Sequence, residues 1–113
     1  MAIKKINTRS DLFTYAALLN QREAFQAGAN VYGAPKLASN ERYGQLPALF
    51  WASFTNSDYA VWSYNTPIAW YSHLAESWII PNVKYSNTTS AHQNKIRVAL
   101  DHLGVHVHYP TYS

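Results

Sequence analysis

The chain contains no cysteine, which removes disulfide staples, thiolate zinc sites and cysteine nucleophiles together. No apolar run approaches the ~18 residues that a membrane-crossing helix requires. The opening MAIKKINTRS holds no hydrophobic signal core, so a soluble, cytoplasmic protein is expected. Glycine is scarce, and Gly28, Gly33, Gly44 and Gly104 are too scattered to build a phosphate-cradling loop or a dinucleotide fingerprint. Charge is scarce as well. Asp, Glu, Lys and Arg supply 13% of the 113 residues, about half the ~25% of an ordinary globular protein.

Each shortage excludes something further. Six carboxylates are too few for an acidic mimic of DNA. Paired-carboxylate catalysis would need two of Asp11, Glu23, Glu41, Asp58, Glu76 and Asp101 to converge, and each falls at a helix end, a turn or an exposed face. The net charge of +3 and pI near 9.2 are modest, and the basic residues are spread from Lys4 to Arg97 rather than clustered on one face. No G-x-S-x-G turn is present. No cofactor is implied, and the protein reads as a non-enzyme.

What the chain does have is aromatic residues: nine Tyr, four Trp and four Phe. Amphipathic rings of this kind fill cores and are also enriched at interfaces. The length supports one domain over residues 1–113, with one core. Residues 3–6 suit a short strand or arm. Thr8 or Ser10 is placed to cap a helix over residues 11–21, whose Leu12, Tyr15, Ala16 and Leu19 share a face. Phe25 and Val31-Tyr32 suit short strands around a Gly28-Ala29-Asn30 turn. Residues 33–45 read as a surface loop. Pro47 fits the first position of a helix over residues 47–55, and Leu49, Phe50, Trp51 and Phe54 cover most of its circumference, which predicts deep packing.

The stretch DYAVWSYNTPIAWYSHLAESWIIP, residues 58–81, predicts two consecutive hairpins. With Asn65-Thr66 as the first turn, Trp62 opposes Ala69 and Ala60 opposes Tyr71. With residues 73–76 as the second, Tyr71 opposes Trp78 and Trp70 opposes Ile79. Alternation along strands then puts Val61, Trp70 and Ile79 on one face, and Tyr71, Trp78 and Trp62 on the other. Neither face suits solvent, so a helix, a partner, a second copy or a ligand must cover the reverse. A slip of one residue would exchange the faces. Farther on, Ser90 and Gln93 fit a capping box and Gly104 a left-handed C-terminal cap, bracketing a helix with Ile96, Ala99, Leu100 and Leu103 as its stripe. Val105 to Tyr109 alternate as a last strand. The expectation is an α+β fold: a small antiparallel sheet, with a three-stranded meander at about 58–81 plus short strands, packed with two or three helices.

Candidate sites are few. His106 and His108 stand two apart, an arrangement imidazole metal sites use, but a third ligand is required and none is fixed by spacing. Solvated edge-strand residues explain the same pattern. His92 beside Ser90 suggests a nucleophile and base, yet helix capping accounts for the Ser/Thr cluster. Lys84, Lys95 and His92 fall around the start of the last helix, where basic side chains and unpaired amides attract anions. Next to an open Trp62, Tyr64, Tyr71 and Trp78 surface, they would form a stacking platform for single-stranded nucleic acid.

Two blocks carry a resemblance. The first, Y-x-V-x-S-Y-x-T-P-I-A-W, falls on Tyr59, Val61, Ser63, Tyr64, Thr66, Pro67, Ile68, Ala69 and Trp70. The second, V-x-Y-S-x-T-T-S-x-H-Q, falls on Val83, Tyr85, Ser86, Thr88, Thr89, Ser90, His92 and Gln93. Across residues 58–100 the chain resembles a small uncharacterised domain family encoded by phages, plasmids and their hosts. The resemblance implies a mobile-element accessory protein and brings no activity with it. By analogy of context, such a protein binds a host protein or nucleoprotein complex, in the manner of inhibitors of CRISPR effectors or restriction enzymes. DNA or RNA binding is the alternative, a small metalloprotein or enzyme using His106 and His108 the third, and a homodimer fits any of them.

Overall fold

A computed structural model describes residues 3–7, 9–36 and 42–111. Among these, seven strands form one mixed sheet in sequential order, accompanied by three helices. The fold is therefore α+β, with a sheet larger than the predicted meander. In chain order the elements are β1 (Lys4–Ile6), α1 (Leu12–Gln21), β2 (Phe25–Ala27), β3 (Val31–Pro35), a 3-10 turn (Ala48–Phe50), α2 (Trp51–Thr55), β4 (Tyr59–Ser63), β5 (Thr66–Ser72), β6 (Ser77–Ile79), α3 (Asn87–Leu103) and β7 (Val107–His108).

The pairing explains the layers. β1 pairs β2 in parallel across α1, and β6 pairs β7 in parallel across α3, while the four pairings between β2 and β6 are antiparallel. That sequence of pairings makes β1 and β6 run the same way, and both crossovers step in the same direction across the sheet. Connections of one hand then put both helices on one face. There α1 and α3 pack together, and Tyr15, Leu19, Ile96 and Leu100 meet Phe25, Val31, Val61, Ile68 and Trp78 in one buried cluster.

The reverse face is covered by the chain itself. Leu46, Phe50 and Phe54 close over Ala60, Trp62 and Trp70, with Tyr32, Tyr43 and Ile79 at the margin. The indole N–H of Trp62 donates to the Arg42 carbonyl at 3.1 Å and that of Trp70 to Ser53 Oγ at 3.0 Å, so both buried donors are satisfied by the segment that covers them. Trp62 is 0% exposed on this side and Trp78 is 2% exposed beneath the helices. Of the covers the sequence left open, the chain's own elements take the place, so Trp62 and Trp78 are not available as an open binding surface.

The first hairpin departs from the predicted register by one residue. Its turn is Tyr64-Asn65, both with positive φ (50° and 67°), as a type I′ connection requires. Val61 opposes Ala69 and Trp62 opposes Pro67, leaving Ile68 as an extra residue in a β-bulge. β4 is thereby turned over relative to β5: Val61 shares a face with Tyr71 and Trp78, while Trp62 joins Trp70. The second hairpin matches its expected register, with Trp70 opposite Ile79 and Tyr71 opposite Trp78.

Helix ends also shift. Asp11 caps α1, accepting from Thr14 N at 2.9 Å; Ser10 does not, and Thr8 lies outside the described residues. Ser86 caps α3, one turn before the predicted Ser90. The region around Pro47 is a 3-10 turn and a short α2 rather than one helix, and Leu49 (57%) and Trp51 (41%) are exposed instead of packed. Of the predicted 33–45 loop, Gly33 to Pro35 belong to β3 and residues 37–41 are outside the described set.

Candidate functional site: the cleft at the start of the last helix

The two sequence blocks meet in space. The turn of the β4–β5 hairpin comes against the first turns of α3, and residues 45–47 form the facing wall. Between them lies a cleft of about 680 Å³, lined by Gln45, Pro47, Tyr64, Thr66, Lys84 and Tyr85, with Ser86, Thr88 and Thr89 from the helix start. Its lining is hydroxyl-rich and, among the described residues, carries one cation, Lys84.

Tyr64 is the unusual member. A β-turn of this type favours Asn or Gly at positive φ, yet a tyrosine occupies the first central position at φ 50° and is 49% exposed. Its ring stacks on His92 with centroids 6.1 Å apart. Asn30 Nδ2 donates to the Tyr64 hydroxyl at 3.1 Å, and the Tyr64 amide donates to the Asn30 carbonyl at 3.0 Å.

Behind Tyr64 sits a polar cluster that spacing did not reveal. Ser63 Oγ lies 2.8 Å from His92 Nδ1 and 3.3 Å from Thr89 Oγ1. Ser63 has no exposed surface, so its hydroxyl cannot reach a substrate and the pair ties α3 to β4. Burial pushes the His92 imidazole below its ordinary pKa, which keeps it neutral at pH 7. Gln93 belongs to the same seam. Its Nε2 donates to the Ile68 carbonyl at 3.0 Å and to the Pro81 carbonyl at 3.3 Å. The bulge leaves Ile68 without a ladder partner, and Gln93 supplies one in place of the capping role the sequence suggested. The blocks did contain all four residues, but only the folded hairpin shows that Ser63 and His92 are partners.

The remaining candidates scatter. Tyr64 and Lys84 line the cleft and His92 backs it. Lys95 faces a different opening and lies over the Tyr15 ring at 5.6 Å, so it does not join Lys84. Trp62 and Trp78 are core residues on opposite faces. Tyr71 is half-buried, tilted against Trp78 and covered by the Arg22 guanidinium at 4.3 Å. The stacking platform is thus reduced to Tyr64. His106 Nδ1 lies 2.8 Å from Ser77 Oγ, and no group of three or more His, Asp or Glu side chains among the described residues could hold a metal ion. The third ligand that His106 and His108 require is not among them.

No helix among the described residues is long and apolar enough to cross a membrane. The model of a family of unknown function, DUF8033, matches residues 1–102. No curated protein and no solved structure matches the chain.

Proposed function

The chain belongs to DUF8033, a family of unknown function, and from its geometry we propose that it is a non-enzymatic binding protein that docks a host protein at the Tyr64 cleft. The observation that carries this reading is Tyr64 itself. A bulky aromatic in the left-handed region is strained, by an amount on the order of 1–3 kcal/mol, and such strain gathers at functional sites. Here it holds a half-exposed ring on the rim of the cleft. Exposed Leu49 and Trp51 stand just beyond Pro47 on the same covering segment. Exposed aromatic and aliphatic groups amid hydroxyls and amides, with little charge, are the composition of a protein-docking surface. The accessory role in a phage or mobile element, with inhibition of a defence complex as its form, rests on the sequence resemblance.

The test is a quantitative pull-down from host lysate with the wild-type chain and Tyr64→Ala. A stoichiometric protein captured by the first and lost with the second is expected. No stoichiometric partner, or equal capture by both, would overturn the reading.

One observation favours a second reading. Lys84 and Tyr64 share the cleft with the first turn of α3, a phosphate contact and a stacking ring in reach of one strand. Fluorescence polarisation with DNA and RNA decides it, and absence of binding at about 50 mM salt eliminates it.

A further inference from the structure

A second opening, separate from the Tyr64 cleft, collects basic groups from distant parts of the chain. It measures about 320 Å³ and lies between the approach to α1, the start of β3 and one side of α3. Arg9, His92 and Lys95 line it, over a floor of Tyr15, Val31 and Ile96. The floor residues are buried in the core beneath the helices, so the pocket is apolar at its base and cationic around its mouth. No carboxylate among the described residues lines it.

The ion pairs of the described residues lie away from this cluster. Among the described residues, Glu23 pairs with Lys4 and Asp101 with Arg97. Asp11, the acid on the neighbouring helix start, accepts both the amide and the hydroxyl of Thr14, and its charge also acts on Lys95. Neither Arg9 nor Lys95 has an ion pair with a described carboxylate. The Asp11 carboxylate acts on Lys95 from outside the opening, but no described carboxylate lines it, so an anion between Arg9 and Lys95 would relieve the repulsion that remains between the two cations. His92 meets Ser63 through Nδ1, which leaves Nε2 as its second hydrogen-bonding atom.

We propose that this opening binds a phosphate group, held by Arg9 and Lys95 with His92 as the hydrogen-bonding third member. Arg9 offers a planar fork and Lys95 a mobile point charge, the two complementary ways in which proteins hold phosphate oxygens. The apolar floor accommodates the organic part of a phosphate ester. This site does not depend on the partner assigned to the Tyr64 cleft.

Inorganic phosphate is the first probe, followed through backbone amide chemical shifts at low salt, with chloride as control. Saturable shifts centred on Val31, Ala91 and Lys95 are expected. Arg9→Gln and Lys95→Gln should each weaken binding by roughly tenfold, the loss usual for one charge-assisted contact, and the double variant should abolish it. The same titration with adenosine monophosphate and with a short single-stranded oligonucleotide separates a free phosphate ester from a nucleic-acid backbone by which binds more tightly. Because Arg9 is exposed, its variant tests binding without threatening the core. Shifts that chloride reproduces, that never saturate, or that survive the double variant would overturn the assignment.

Discussion

At the scale of single residues, two positions show how little room the fold leaves. Gly33 sits in β3, and a Cβ placed there would meet the Phe25 ring and lie 2.6 Å from the Tyr59 hydroxyl. That hydroxyl donates to the Glu23 carbonyl at 2.6 Å, and burial pushes its pKa far above the ordinary phenol value. Gly33→Ala must displace the ring or break this bond. Crowding of this kind costs about 1–3 kcal/mol, read as a lower urea midpoint at unchanged slope. His92 governs a pH dependence. Its folded pKa is depressed by desolvation, so the unfolded chain takes up the proton first as pH falls below about 6.5. The stability that rests on neutral imidazole is complete above that pH and declines as pH drops through the lower folded value. Denaturation of the wild type and His92→Gln at pH 7.5 and 5 should show the smaller loss in the variant. An equal loss would mean that His92 is not the group responsible.

At the scale of elements, helix ends and hairpin turns depended on choices among neighbouring residues of similar chemistry. Ser86, Thr88, Thr89 and Ser90 are all able to cap a helix, and the chosen cap is Ser86, whose Oγ accepts from Thr89 N at 3.2 Å. Ser90 Oγ donates instead to the Tyr85 carbonyl at 3.3 Å. Replacing the cap should cost about 1 kcal/mol, so Ser86→Ala is expected to lower thermal stability by more than Ser90→Ala. The reverse order would place the cap where the sequence first suggested. The first hairpin is decided in the same way. Asn65 belongs to the turn on either register, and whether Tyr64 or Thr66 accompanies it cannot be settled by preference alone. Thr66 is better placed in the strand, where its hydroxyl accepts from the Gln45 amide at 2.9 Å. Tyr64 is forced into the positive-φ position as a result.

At the scale of the whole molecule, the sheet divides the core in two. The thicker half is built by α1 and α3, and the thinner half by a segment of only 14 residues, 42–55, whose anchor is Phe54. Its ring contacts Tyr43, Trp62 and Trp70 at centroid distances of 5.7, 5.8 and 5.7 Å, and it is fully buried. Phe54→Ala should cost about 3–5 kcal/mol and expose Trp62 and Trp70 together. A red-shifted tryptophan emission should therefore accompany the fall in urea midpoint. A mild effect on both would show that the covering segment is not what holds that face.

The α+β class, the apolar stripes of α1 and α3, the C-terminal cap at Gly104, the second hairpin's register and the two-faced apolar character of the meander were all legible in the sequence. Each of these follows from local periodicity or from one residue with a unique backbone preference. Tertiary contact alone decided the rest. The bulge at Ile68 inverted β4 against β5, which no pattern of alternation announces. The two end strands paired in parallel with sequence-distant partners, and residues 42–55 supplied the second layer. Ser63 found His92, and Arg9 and Lys95 came to line one opening, across long stretches of chain. Short-range rules fix what a segment can be, whereas the partner it meets depends on how the chain closes its surfaces against water.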